Sequence, residues 1–121
     1  MNPVHVFDNG VRVYRHQLLD IQLERYRKRN VHEEDEEDLF IDLIDAMPRE
    51  GVFVSLGTAI GYYAFLAKRR RADLRIHCFE PLTRHRRFFE ENIELNGFRA
   101  SDFAVYPFAI APNRSRFELV D

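Results

Sequence analysis

Two glycines and a glutamate are the residues of this sequence whose types and spacing best suit a bound ligand. Gly57 and Gly61 follow the apolar segment 52–56, which is typical of a strand buried on both faces. Glu80 lies about 20 residues further on, at the end of a second apolar segment. Glycines let the backbone pass close to a ligand, and a carboxylate accepts hydrogen bonds from both hydroxyls of a ribose. The pattern therefore predicts a nucleoside site.

The residues between these glycines narrow the choice of nucleoside. A dinucleotide-binding G-x-G-x-x-G motif would need glycines at 59 and 62, where the sequence has Ala59 and Tyr62. The phosphate-binding string G-x-x-x-x-G-K-[ST] does not occur in the sequence either. The spacing suits a ligand that carries a ribose but no phosphate, and S-adenosylmethionine is the cofactor that we expect. A nucleotide-binding half-domain is the alternative.

The sequence identifies no catalytic residue and predicts no metal site. His77 and Cys78 lie in the middle of a predicted strand, where we expect structural roles for both. The remaining histidines have no metal-ligand spacing. The acidic run 33–38 suits the first turns of a helix, where the helix dipole favours negative charge, and we expect it to be solvated.

Alternating strands and helices must position the glycines and Glu80. The predicted strands are 52–56, 74–81 and 103–110, the predicted helices between them are 60–71 and 83–96, and a short final strand is predicted at 116–120. Such a βαβαβ unit forms a parallel sheet with right-handed crossovers. Ligands of these sheets bind beyond the carboxyl ends of the strands, where the loop after residue 56 and Glu80 both lie.

The preceding segment, residues 1–47, is predicted to form a hairpin and helices. Asn9-Gly10 between the alternating segments 4–7 and 11–15 is a strong hairpin signal. Residues 17–29 are partly helical in pattern, and residues 33–47 form a helix with one apolar face that Pro48 ends. We therefore divide the chain into a lead-in, 1–47, and a Rossmann-like domain, 48–121.

Four sequence blocks in series resemble one protein family. The blocks are VFVSLGTAIGYYAFLA, IHCFEP, FFEENIELNG and VYPFAIAPNRSRFEL, and they extend over about residues 48–121. They resemble the FkbM family of class I S-adenosylmethionine-dependent methyltransferases. The resemblance implies an α/β fold in which this chain supplies the first βαβαβ half, and it implies methylation of a hydroxyl group on a small molecule or sugar.

The resemblance also implies roles for individual residues. The cofactor-binding residues that it implies are Ser55, Gly57, Thr58, Ala59, Gly61, Tyr62, Glu80 and Pro81. Among these, the glycine loop would lie under the methionine part of the cofactor, Glu80 would hold the ribose, and Pro81 would shape the turn behind it. Asn92 and Asn96 match paired asparagines that we interpret as a buried amide and a helix cap, and Ala109 matches a small residue after the third strand.

The sequence departs from the family pattern in two places. Ser55 stands where the family usually has an aspartate that orients the methionine end of the cofactor, so a charged hydrogen bond worth about 1–3 kcal/mol is missing. The family's fourth strand, with its acidic D-x-E-G segment, has no counterpart up to Asp121. We therefore expect strand 52–56 to have an open edge and the chain to self-associate through it.

Composition limits the remaining functions. The 121 residues are 45% hydrophobic and 31% charged with a net charge of −2, which gives no general attraction to nucleic acid or to anionic membranes. No segment approaches a membrane span, no signal peptide is visible, and the single cysteine fits a cytoplasmic protein. The basic clusters 68–71 and 84–87 fall at opposite edges of the predicted sheet, which argues against a nucleic-acid surface. A non-catalytic remnant or interaction module with the same fold is the rival function.

Overall fold

The N-terminal residues form a β-hairpin. β1 (Val4–Val6) pairs antiparallel with β2 (Arg12–Tyr14), and the turn between the strands contains Asn9 and Gly10. Asn9 Oδ1 accepts a hydrogen bond from the backbone N–H two residues later at 2.9 Å, and Gly10 adopts φ +91°, a conformation that favours glycine. The predicted hairpin is confirmed.

Two helices connect the hairpin to the sheet. The structure is a computed structural model, and it describes residues 2–114. A 3-10 turn at Arg15–Gln17 leads into α1 (Asp20–Lys28), and α2 (Glu34–Ala46) follows after a short loop. Within the described residues, no helix has both the length and the apolar character needed to cross a membrane.

A parallel three-stranded sheet with two crossover helices follows α2. Its elements are β3 (Val52–Leu56), α3 (Tyr62–Arg70), β4 (Arg75–Phe79), α4 (Thr83–Leu95) and β5 (Phe103–Tyr106). The strand order is β3-β4-β5, and both neighbouring pairs are parallel. This is the predicted Rossmann-like α/β arrangement. β5 ends earlier than predicted, and the predicted strand 116–120 lies outside the described residues.

The prediction that β3 is buried on both faces is wrong. Val52, Val54 and Leu56 are 51%, 49% and 61% exposed, because they share the face of β3 that points away from the core, whereas Phe53 on the other face packs against it. The second edge of β3 is also open, since β3 is hydrogen-bonded only to β4 in the described part of the chain. The apolar face predicted for α2 is also partly uncovered, since Leu39 and Leu43 remain exposed. An open groove of about 490 Å³, which we call the edge groove, lies between α2 and β3 and is lined by Leu39 and Leu43 together with Val54 and Leu56.

Aromatic rings form the centre of the hydrophobic core on the α3 and α4 side of the sheet. The rings of Phe65 and Phe89 stack with their centroids 5.1 Å apart, and Phe103 meets both edge-on. Such ring pairs add about 0.5–1.5 kcal/mol to the free energy of burial. Val11 and Val13 of the hairpin are fully buried in the same core. The hairpin and the sheet domain therefore share one core.

Asn96 joins the hairpin to α4 through two backbone hydrogen bonds. Its Oδ1 accepts from the N–H of Arg12 at 2.8 Å, and its Nδ2 donates to the carbonyl of Arg12 at 2.7 Å. The same Nδ2 donates to the carbonyl of Asn92 within α4. The side chain thus pairs with β2 much as a neighbouring strand would, in addition to its predicted role at the end of the helix.

Candidate functional site

The glycine loop, residues 57–61, crosses the carboxyl end of β4. The N–H groups of Gly57 and Thr58 both donate to the carbonyl of Phe79, at 2.9 and 3.2 Å. Gly57, Ala59 and Gly61 all have positive φ, of 69°, 52° and 99°. For Ala59 this left-handed conformation costs about 1–2 kcal/mol. The loop is therefore held in a shape that an ordinary turn would not adopt, as is frequent at ligand sites.

The two glycines of the loop serve different purposes. A side chain at Gly61 would collide with the rings of Phe65 and Phe89, so this glycine permits close packing of the loop against the core. The gap expected there is filled by the protein's own side chains. A Cβ at Gly57 would meet nothing within 4 Å. The side-chain-free space of the loop is therefore at Gly57.

Glu80 holds the loop from the end of β4. The residue is buried, with 5% of its surface exposed. Its Oε1 accepts a hydrogen bond from the N–H of Ala59 at 2.8 Å, and its Oε2 accepts from the N–H of Leu82 at 2.9 Å. His85 Nδ1 lies 3.5 Å from Oε1. The carboxylate therefore faces the glycine loop, and since a carboxylate has about four acceptor positions, it retains capacity for further donors.

A cavity of about 540 Å³ lies between the glycine loop and the N-terminal elements. The loop side is formed by residues whose cofactor-binding role is predicted from the sequence, including Gly57, Thr58, Ala59 and Tyr62. The opposite side comes from α1 and the loop before α2, and it includes Tyr26, His32 and Glu33. The volume lies within the ordinary range for small-molecule sites. No sequence pattern indicates the N-terminal wall, because no spacing rule connects its residues with the loop.

Four of the cofactor-binding residues predicted from the sequence lie outside the lining of this cavity: Ser55, Gly61, Glu80 and Pro81. Ser55 lines the edge groove, and its hydroxyl accepts a hydrogen bond from Thr58 Oγ1 at 2.9 Å. Pro81 lines a separate depression beside Arg87 at the start of α4, and its carbonyl accepts from Arg86 at 2.7 Å. Ser55 and Pro81 are thus on different sides of the glycine loop.

A buried polar network supports the cavity from α2. The phenol of Tyr62 donates to Glu37 Oε2 at 2.6 Å and accepts from Asn9 Nδ2 at 2.6 Å. Asn9 Nδ2 also donates to Glu37 Oε1 at 2.7 Å. Burial and the Glu37 carboxylate raise the pKa of Tyr62, which keeps the phenol neutral. Glu37 is 4% exposed, so it is the exception to the expectation that the acidic run is solvated.

His32 and Glu33 form the polar part of the N-terminal wall. The ring Nδ1 of His32 is hydrogen-bonded to the hydroxyl of Tyr26 at 2.6 Å. Burial lowers the pKa of His32 from its ordinary 6.5, and the nearby Glu33 only partly opposes this effect. Glu33 Oε1 accepts a hydrogen bond from the hydroxyl of Tyr63 at 3.0 Å. A neutral imidazole and a carboxylate therefore line the cavity next to each other.

The residues interpreted as structural have structural surroundings. Cys78 is fully buried, and burial raises the pKa of its thiol to about 11. His77 Nδ1 is hydrogen-bonded to the hydroxyl of Tyr106 at 3.0 Å on the neighbouring strand. Among residues 2–114, no group of three histidine, cysteine or acidic side chains is arranged to hold a metal ion.

Much of the basic cluster 68–71 is engaged within the chain. Arg70 forms a bidentate ion pair with Asp45 on α2. Arg71 donates to the carbonyls of Ile44 and Met47 at the end of α2, and it also pairs with Asp73. These contacts connect the end of α3 to the end of α2, so Arg70 and Arg71 stabilise the packing of the two helices.

Comparisons with known proteins give a fold and no family. No protein-family model and no curated protein matches the chain. Among solved structures, TYW2 of Pyrococcus horikoshii in complex with MeSAdo is similar, with 20% identity over 89% of this chain and a TM-score of 0.56. A Staphylococcus aureus protein assigned as a caffeoyl-CoA O-methyltransferase is 19% identical over 75% of this chain, with a TM-score of 0.55. A Klebsiella pneumoniae protein assigned as an O-methyltransferase is 18% identical over 72%, with a TM-score of 0.53.

These likenesses concern only part of the larger proteins. This chain covers 36% of the TYW2 chain, 44% of the S. aureus chain and 41% of the K. pneumoniae chain. At such identities the comparison shows the fold, which is the Rossmann-like α/β fold of class I methyltransferases. The arrangement of β3 to β5 and their helices corresponds to the half of that fold predicted from the sequence.

Proposed function

We propose that this chain is the cofactor-binding part of an S-adenosylmethionine-dependent methyltransferase of the FkbM type, which methylates a hydroxyl group of a small molecule or sugar. The observation that carries the proposal is the buried carboxylate of Glu80 against the glycine loop, 2.8 Å from the N–H of Ala59. The MeSAdo complex of the similar TYW2 structure supports the same class of cofactor.

The residues that line the cavity fit this cofactor, and Glu80 lies directly behind that lining through its hydrogen bond with Ala59. Gly57 leaves open space beside the cavity, so the backbone can approach a ligand there. Glu80 would accept hydrogen bonds from the ribose hydroxyls with the acceptor positions that its two backbone partners leave. The loop residues Thr58 and Ala59, together with Tyr62, would contact the cofactor along the cavity wall. Ser55, Gly61 and Pro81 would support the loop and the turn after β4.

The chemistry required of these residues is mainly positioning. When bound, the cofactor supplies a methyl group on a positively charged sulfur that is already activated for transfer. The chain would fix the cofactor through the glycine loop and Glu80, and it would exclude water from one side with the N-terminal wall. No described residue is assigned as the base that removes the acceptor's proton.

Calorimetric titration tests the proposal directly. Heat of binding with S-adenosylmethionine and S-adenosylhomocysteine, and none with NAD, is the expected result. Binding of NAD alone would instead support a nucleotide-binding half-domain. Absence of heat with all three ligands would contradict the proposed function.

The second candidate is a non-catalytic interaction module, and the exposed edge of β3 favours it. Val54 and Leu56 present apolar surface on a strand whose second side is unpaired in the described chain. Such an edge pairs readily with further polypeptide. In this candidate the edge groove binds a second copy of the chain, and the glycine loop has only a structural role.

A further inference from the structure

The proposed cofactor carries a positive charge for which the glycine loop offers no carboxylate, so we looked for an acidic side chain elsewhere in the cavity wall. The methionine end of S-adenosylmethionine carries an ammonium group, which needs an anionic partner when it leaves water. Ser55, at the end of β3, brings no charge, lines the edge groove and is hydrogen-bonded to Thr58. The loop therefore lacks a carboxylate at the position where the resemblance would place one.

Glu33 is the acidic side chain that borders the cavity. Among the described residues, it is the one carboxylate in the lining of the cavity that also contains Gly57 to Ile60. It occupies the N-cap position of α2, yet its side chain makes no capping hydrogen bond. Its Oε1 instead accepts from the hydroxyl of Tyr63, a residue of α3. The carboxylate is thus held by α3, with His32 Nε2 3.9 Å from the same oxygen, rather than used to begin the helix.

The surroundings of Glu33 favour a cation there. His32, which is adjacent in the lining, has a pKa lowered by burial and so contributes no positive charge at neutral pH. The hydrogen bond with Glu33 raises the pKa of Glu36, so two carboxylates are crowded at this point. Arg84 lines the same cavity from the start of α4. An acidic and a basic residue in one cavity suit the zwitterionic end of an amino acid.

We propose that Glu33 binds the ammonium group of the cofactor's methionine end and replaces the acid that is absent at Ser55. This inference rests on the proposed function, since it concerns the same site. Glu33 is a binding residue in this proposal and has no part in the transfer of the methyl group.

Two ligands that differ in the ammonium group distinguish a binding role of Glu33 from a purely structural role. Glu33→Gln is titrated calorimetrically with S-adenosylhomocysteine and with 5′-methylthioadenosine, which has the same nucleoside and thioether but no ammonium. We expect the Kd for S-adenosylhomocysteine to rise by about tenfold or more, because a charge-assisted hydrogen bond is lost. The Kd for 5′-methylthioadenosine should be unchanged. Glu34→Gln is the matched control, since Glu34 pairs with Arg29 outside the cavity lining.

The other outcomes overturn the inference in distinguishable ways. Equal weakening of both ligands would mean that Glu33 only supports the cavity wall. Unchanged affinity for S-adenosylhomocysteine would mean that the ammonium binds elsewhere. If the unmodified chain binds neither ligand, the proposed function fails, and the role of Glu33 fails with it.

Discussion

The carboxylate of Glu80 accepts a hydrogen bond from the backbone N–H of Ala59 at 2.8 Å, and Ala59 has φ +52°. An acid at the end of one strand thus holds a left-handed residue in the loop after the neighbouring strand. The hydrogen bond offsets part of the conformational cost of Ala59. Glu80 therefore maintains the shape of the loop before any ligand binds.

Replacement of Glu80 should reduce both stability and ligand affinity. In Glu80→Gln, an amide N–H₂ replaces one oxygen and opposes one of the two backbone donors. We expect the free energy of unfolding to fall by about 1–3 kcal/mol, because a buried donor loses its acceptor. Urea denaturation measures this loss, and titration with S-adenosylhomocysteine measures the affinity. Glu90→Gln, on the exposed side of α4, should leave both values unchanged. An unchanged free energy of unfolding in Glu80→Gln would show that Glu80 does not hold the glycine loop in shape.

Alanine substitutions at Gly57 and Gly97 test whether a ligand occupies the open space beside the glycine loop, because the two glycines have similar backbone conformations and differ in their position relative to the cavity. Both have positive φ, of 69° and 77°, and an added Cβ would meet nothing within 4 Å at either position. Alanine at each site should therefore cost a similar amount, about 1–2 kcal/mol. Only Gly57 lines the cavity, so only Gly57→Ala should weaken the binding of S-adenosylmethionine. Equal affinities of the two variants in calorimetry would show that no ligand approaches Gly57.

His32 should make the stability of the fold depend on pH. Its pKa in the folded chain is lowered by burial below the ordinary 6.5, so the unfolded chain binds a proton more readily. The stabilising contribution is therefore present above pH 6.5 and is lost as the pH falls below it. His32→Gln should show a weaker loss of stability than the unmodified chain between about pH 7 and pH 5 in urea denaturation. His16→Gln, whose side chain is half exposed, is the control and should retain the original dependence.

Because the second edge of β3 is unpaired in the described chain, we expect copies of the chain to associate through it, and a charged side chain placed on β3 should weaken this association. Val54 is 49% exposed and lines the edge groove, so lysine at this position costs little in the folded monomer. A charge on an edge strand disfavours pairing with another chain. We expect Val54→Lys to elute from a size-exclusion column at a smaller apparent mass than the unmodified chain. Arg49→Lys, which keeps the charge of an exposed residue before β3, is the control. A monomeric unmodified chain at high concentration would contradict this prediction.

Local sequence patterns predicted the elements of the fold well. The bounds of β3 agree with the prediction because its apolar residues end at a glycine, and the hairpin follows from Asn9-Gly10. The exposure of Val52 and Leu56 was not predictable from their types, since it depends on whether another element covers their face of the sheet. Patterns within one segment determine secondary structure, whereas burial depends on partners elsewhere in the chain.

The site was predictable only where neighbouring strand ends converge. Glu80 and the loop meet because parallel strands bring their carboxyl ends to one edge. The contact of Glu37 with Tyr62 and the place of His32 in the cavity wall depend on how α2 packs against α3, which no short motif records. The sequence predicts a ligand-facing role for Gly61, and the structure adds a packing reason that no motif records, because the rings that require a glycine there, Phe65 and Phe89, belong to two separate helices.

The hydrogen bonds of Asn96 tie the hairpin to α4, since its side chain pairs with both backbone groups of Arg12. The segment before α1 is attached to the same helix, because Asn92 Nδ2 donates to Gln17 Oε1 at 2.8 Å. The same amide nitrogen donates to the carbonyl of Ile60 in the glycine loop at 3.0 Å. One helix therefore sets the spacing between the two walls of the cavity, so a change within α4 would alter the cavity without touching its lining.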